Sequence, residues 1–161
     1  VTLTDDRISR IQTAVQHLTD TAQTLPSNVL YAEPEPNEWP VMSILAHVVE
    51  LMPYWAKQAL EVSRRSADSQ PFGRTHDDPD RIGAVQQHGR DSLDSMLPRV
   101  QTACAEAVDL LRQIPQDRWT RTARHANRGD MSVEQIVDQF LVNHVEEHLT
   151  QARAAISALQ V

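Results

Sequence analysis

Two histidines, His144 and His148, stand four positions apart in the segment LVNHVEEHLTQ near the end of the chain, among apolar neighbours. On a helix, side chains at i and i+4 lie one above the other. Two imidazoles at that spacing can share one divalent ion, as they do in the H-E-x-x-H motif of zinc proteases. Here the order is H-V-E-E-H, and Glu146 and Glu147 are out of place for that motif, which argues against a protease. A third imidazole, His47, lies in VMSILAHVVELM with Ile44 and Leu51 on its own helical face. Burying three imidazoles without partners costs on the order of 1–3 kcal/mol for each unsatisfied group. One divalent cation would satisfy all three, and three His ligands with an open fourth position match a catalytic rather than a structural zinc geometry. The alternative is that the three are hydrogen-bonded core residues with no metal. His17, His76, His88 and His125 fall on a helix flank or in loops and read as solvated. Glu50, one turn after His47, reads either as an acceptor for a ligand histidine or as an exposed carboxylate. Cys104 lies on an apolar face without a basic neighbour in sequence, which describes a buried core thiol.

The elements that must position these residues are helical. Apolar residues recur at three and four positions, and only four glycines interrupt the chain. No sheet is expected. The first helix is predicted over about Asp5 to Thr24, capped by Thr4, with Ile8, Ile11, Val15 and Leu18 in one stripe. Pro26, Pro34 and Pro36 make the following stretch an extended connection around the outside of the bundle. The second helix starts near Pro40 and ends near Ser66, and Pro53 predicts a kink one turn beyond His47. ADSQPFGRTHDDPDRIG reads as a long loop that covers a site, with a short helix from Ile82 to His88. The third long helix is expected from about Ser92 to Ile114. The last opens on SVEQ, a capping box of Ser132 and Gln135, and runs to about Leu159, with Val133, Val137, Phe140, His144, His148, Ala152 and Ile156 on one face. Four amphipathic helices hide their stripes together in an all-α four-helix bundle, here a single domain over residues 1–161. The tryptophans Trp39, Trp55 and Trp119 are expected over its rim.

Composition narrows the partners. Fifteen Lys and Arg against twenty-two Asp and Glu leave a formal charge of −7 over 161 residues. That field repels phosphate backbones and anionic membranes, so neither nucleic acid nor membrane is expected as partner. The single cysteine excludes an internal disulfide and a cysteine-rich zinc site, and agrees with a reducing cytoplasm. No apolar run reaches the roughly 20 residues of a membrane span, and the N-terminus carries no signal pattern.

Read together, these segments resemble a known family. W-P-V-M-S-I-L-A-H-V-V-E, residues 39–50, resembles the second-helix signature of the DinB-like (YfiT-like) metalloprotein superfamily, in which a Trp precedes the helix and a His follows about two turns later. H-x-x-x-H-x-x-Q, here His144, His148 and Gln151, resembles its last-helix signature, while LRQIPQDRW and H-A-N-R-G-D-M-S resemble the stretches between. The Met52-Pro53-Tyr54 step departs from the family pattern. The resemblance implies a four-helix bundle, a divalent metal (zinc or nickel) on His47, His144 and His148, and a homodimer. It also implies a small-molecule substrate and, in the members with assigned activity, a low-molecular-weight thiol such as bacillithiol, mycothiol or glutathione.

The expected activity is therefore thiol S-transfer to an electrophilic small molecule, with Arg74, Arg121 or Arg124 as candidates to bind the carboxylates of a thiol cofactor. Metal-dependent hydrolysis is the alternative, with Glu50 or Glu147 as its base. A non-catalytic metal-binding stress-response module is the third.

Overall fold

Capping and burial together set out the helices of the computed structural model, which describes residues 2–66 and 70–159. Helix α1 spans Leu3–Gln23 and is capped by Thr2, whose hydroxyl accepts from the Asp5 N–H while the Asp5 carboxylate accepts from the Thr2 N–H. The cap thus lies two residues before the expected Thr4, because Asp5 closes a capping box with Thr2 that Thr4 cannot form. A short helix, α2 (Ser27–Leu30), interrupts the connection that was expected to be extended throughout. Helix α3 (Val41–Arg64) starts just after Pro40 and continues through Pro53 without ending there. Helix α4 covers Pro79–His88, and α5 covers Leu93–Arg112 with Ser92 as its cap.

The last helix is composite: α6 (Val133–Ile136), a π-helical turn at Val137–Val142, and α7 (Asn143–Leu159). Its capping box, Ser132 with Gln135, forms as the sequence indicates. The π turn interrupts the single regular helix expected here. Its signature is the pair of buried doublets five residues apart, Ile136–Val137 and Leu141–Val142, a spacing that a wider turn brings to one side.

Helix α3 packs against both α5 and the last helix, and α1 packs against the same two, which closes a four-helix ring around one core. Every residue from 41 to 48 is buried, so the first two turns of α3 have no solvent face at all. A single-stripe helix would not show this; α4 and the loop before it cover the side that α5 and the last helix leave open. His47 therefore lies as deep as the leucines around it, 1% exposed.

The expectation of no sheet is corrected by a small antiparallel hairpin, β1 (Thr122–His125) with β2 (Gly129–Ser132), in register Ala123 opposite Met131 and His125 opposite Gly129. Thr122–His125 alternates exposed and buried, the period-2 pattern of a half-buried strand. Gly129 has φ +73°, the left-handed residue a three-residue hairpin loop needs after Ala126, Asn127 and Arg128. In the sequence, four residues of alternation among seven polar or charged side chains between Thr122 and Ser132 are too few to stand out as a strand. Residues 67–69 of the covering loop lie outside the described residues; from Gln70 onward it runs across the bundle end to α4.

Candidate metal centre

α3 and α7 bring the three sequence-identified histidines together. The potential ligand nitrogens of His47, His144 and His148 all lie within 4.8 Å of one another, and the ring centroids are 5.6 Å (His47–His144), 4.8 Å (His47–His148) and 4.7 Å (His144–His148) apart. Two of the rings are anchored from behind. His148 Nδ1–H donates to Gln151 Oε1 at 2.9 Å, and His144 Nδ1–H donates to the Phe140 carbonyl at 3.3 Å. Each anchor settles the tautomer and leaves the Nε2 lone pair facing the other rings. The Phe140 carbonyl belongs to the π turn, so the irregular turn serves one of the anchors.

His47 has no such anchor. Both of its ring nitrogens are buried without a hydrogen-bond partner among the described residues, as is His148 Nε2. Burial first, then the neighbouring His148 and the arginine Arg81, push the His47 imidazole down to about 2. Burial, then His144, pushes His148 down to about 4, and burial lowers His144 as well. All three are neutral at pH 7, the state in which an imidazole nitrogen can ligate. Trp39 closes one side of the cluster, its ring edge-on to His47 at 5.1 Å and stacked over His148 at 6.3 Å.

On the open side lies a cavity of about 250 Å³, lined by His47 and His144, the aromatic residues Trp55 and Phe140, and the arginines Arg74, Arg81 and Arg128. Trp55 and Phe140 stack on each other at 4.3 Å and form one wall. The covering loop forms another, and it can pass this closely only because residue 73 is glycine. Gly73 has φ +77°, and a Cβ there would meet His125 Cδ2 at 2.9 Å and the Trp55 ring at 3.0 Å.

His125, read from sequence as solvated, is 4% exposed in this cavity. Its Nε2–H donates to the Arg74 carbonyl at 3.1 Å and its Nδ1 accepts from the Asn127 N–H at 3.2 Å. Both nitrogens are thus committed to backbone, and the ring pins the covering loop to the hairpin rather than offering a ligand. The strand alternation that places residue 125 inward was the signal that could have found it. His17 and His76 are exposed as expected, and His88 is half-buried with Nδ1 2.8 Å from the Asp91 carboxylate.

The other candidates separate clearly. Glu50 is held by both Arg74 Nη atoms, at 2.5 and 2.6 Å, and so is neither an imidazole acceptor nor exposed. Arg74, 3.8 Å above the Tyr54 ring, is committed to that pair. Arg121 lines a different surface pocket and Arg124 points out of the exposed side of β1. Glu147 is exposed, and Glu146 faces Arg10 of α1. Cys104 is a buried core thiol whose burial raises its pKa, as the sequence indicated.

The family profile of the DinB superfamily matches residues 10–152 of this chain. No curated protein sequence matches it significantly. Among solved structures, the fold is similar to YfiT from Bacillus subtilis, a probable metal-dependent hydrolase with an unusual four-helix bundle topology, with TM-score 0.78 and 12% identity over 96% of this chain and 87% of that one. It is also similar to a mycothiol-dependent maleylpyruvate isomerase, with TM-score 0.65 and 9% identity over 99% of this chain. A histidine-to-alanine mutant of that isomerase matches with TM-score 0.64. The chain spans 62% of the isomerase's length.

Proposed function

The chain belongs to the DinB superfamily, and from that premise and the buried imidazole cluster we propose that it is a divalent-metal-dependent enzyme that transfers a low-molecular-weight thiol to an electrophilic small molecule. The observation that carries the reading is His47: two ring nitrogens, both buried, both without a partner among the described residues. Left so, they cost on the order of 1–3 kcal/mol each, and three converging neutral imidazoles are a donor set that suits zinc or nickel. His47, His144 and His148 would hold the ion, which would supply Lewis acidity and lower the pKa of a thiol or water brought to it.

The chain's own residues then orient and exclude. Gln151 and the Phe140 carbonyl hold two rings in the ligating tautomer, and Trp39 shields the cluster from solvent on its far side. The covering loop, pinned by His125, bounds the cavity where the second reactant must lie. In the transfer, sulfur forms a bond to an electrophilic carbon, the displaced group leaves with its bonding pair, and the thiol proton passes to solvent.

Hydrolysis, the reading that the likeness to YfiT brings, needs a general base beside the attacking water. Among the described residues lining the cavity there is no carboxylate, and Glu50 is neutralised by Arg74. A thiol, already acidic enough to ionise near neutrality, has less need of one. This favours S-transfer.

The test is elemental analysis of tag-free protein beside a His47→Ala variant, followed by rate measurements with several thiols and an activated aryl halide. About one equivalent of metal in the parent, none in the variant, and a thiol-dependent rate above background that the variant lacks are expected. A parent that takes up neither Zn²⁺ nor Ni²⁺ overturns the metal site. A metal-loaded parent with no rate above background overturns S-transfer.

A further inference from the structure

The charge of the cavity is opposite to that of the chain. Overall the protein carries a formal −7, yet the charged side chains lining this cavity are Arg74, Arg81 and Arg128, with no Asp or Glu among the described lining residues. A concave, partly buried surface of one sign concentrates counter-charged solutes far more than scattered surface charge does.

The three arginines are not equivalent. Arg74 is consumed by Glu50 and Asp78. Arg128 is exposed at the rim, its guanidinium 5.8 Å from the Phe140 ring centroid. Arg81, from the first turn of α4, is half-buried and forms no ion pair with any described carboxylate. Its Nη1 donates to the His76 carbonyl at 3.3 Å, and its guanidinium lies 5.6 Å from the Trp39 ring centroid. Burial first, and Arg74 next, hold its pKa below the usual arginine range, so the fold keeps a cation here at a cost. A guanidinium with most of its fork unused, in a cavity whose formally charged lining is all arginine and one wall of which is aromatic, is complementary to a planar anion.

We propose that this cavity is an anion subsite, in which Arg81 takes a carboxylate of the small-molecule substrate in a forked pair, Arg128 closes on it from the rim, and an unsaturated or aromatic carbon skeleton lies against the stacked Trp55–Phe140 wall. The inference rests on the reading of the site as a small-molecule enzyme and adds the class of its substrate: a small, flat organic acid, bounded by a cavity of about 250 Å³.

The test uses benzoate and its uncharged counterpart benzamide as probes, with calorimetric titration of the protein both zinc-loaded and metal-free. Without metal, an anion cannot simply bind the ion. Benzoate should bind the metal-free protein saturably and at least about 10-fold tighter than benzamide. Arg81→Met should weaken benzoate by about 10-fold or more with zinc stoichiometry unchanged, Arg81→Lys should fall between, and Arg124→Ala, which removes an exposed charge outside the cavity, should change nothing. Retention of the parent's thermal midpoint and zinc content in the Lys variant establishes that the fold is intact. Equal binding of benzoate and benzamide, equal affinity in parent and Arg81→Met, or no benzoate binding by protein that holds zinc would each overturn the subsite. If the protein holds no zinc but benzoate binding still depends on Arg81, the metal reading falls and the anion subsite stands.

Discussion

The two long sides of the last helix treat polar groups in opposite ways. Toward α1, Arg7 is 7% exposed and fully engaged: Nε and Nη2 donate to Asp138 at 2.6 and 2.8 Å, Nη2 also to Glu134 at 2.8 Å, and Nη1 to the Leu3 carbonyl at 3.1 Å. Arg10 forks onto Glu146 at 2.9 and 2.7 Å and reaches Asn143 as well. Toward α3, the same helix presents His144 and His148 to a His47 that has no partner for either nitrogen among the described residues, beside an Arg81 that pairs with no described carboxylate. Outside the histidine cluster, Trp119 Nε1 is the one buried orphan side-chain atom among the described residues, a lone indole donor that cannot ligate a metal. Where the helix only holds the bundle together, its charges are matched within the chain. Where it faces the cavity, the matching groups must come from outside, and that difference marks the site more sharply than burial alone.

The largest effect that probes this contrast is acid. A histidine whose folded pKa is depressed stays neutral while the unfolded chain takes up a proton, so its side favours folding fully above about 6.5 and loses that advantage as pH falls toward the folded values. Metal-free protein moved from pH 7.5 to pH 5 should lose on the order of 3 kcal/mol in urea unfolding, more steeply than a metal-free His47→Leu variant. Identical pH slopes for the two would mean that the cluster is not buried neutral in solution. Next comes Arg7→Met on the opposite side. It leaves Asp138 and Glu134 facing each other without their cation and should cost about 2 kcal/mol, below the figure for a fully buried pair because both carboxylates are partly exposed. Its zinc affinity should match the parent's; a parallel loss would mean that the two sides are coupled through the helix. The smallest effect expected is Gln151→Ala, which frees His148 Nδ1 and should weaken zinc by up to about 10-fold with little change in metal-free stability.

Much of this was legible from residue types and spacing. The stripes of α1 and the last helix, the extent of α5, the Ser132–Gln135 capping box and the helix start after Pro40 follow from local rules that need no tertiary contact. The i, i+4 pair and His47 on an apolar face named the cluster in advance. What escaped was of another kind. The cap at Thr2 depends on which nearby carboxylate closes the box, a choice between two adjacent threonine-containing frames. The hairpin is too short to stand out by periodicity, and it is supported by Phe72, whose N–H donates to the Arg124 carbonyl from fifty residues away in the loop. The π turn leaves only a doublet spacing that a regular stripe also tolerates.

By itself, the sequence determined that there would be four amphipathic helices and that three of their histidines would face inward, because side-chain direction on a helix is fixed by residue spacing. Only the tertiary structure decided which polar groups would be satisfied. Glu50 and Arg74 looked available and proved to be each other's partners, His125 looked solvated and became a brace, and Arg81, which no sequence motif singles out, stands in a cavity paired with no described carboxylate. The physical reason is that hydrogen bonds and ion pairs act over about 3 Å between residues distant in sequence, so their pairing is set when helices and loops meet, not by the spacing within any one of them.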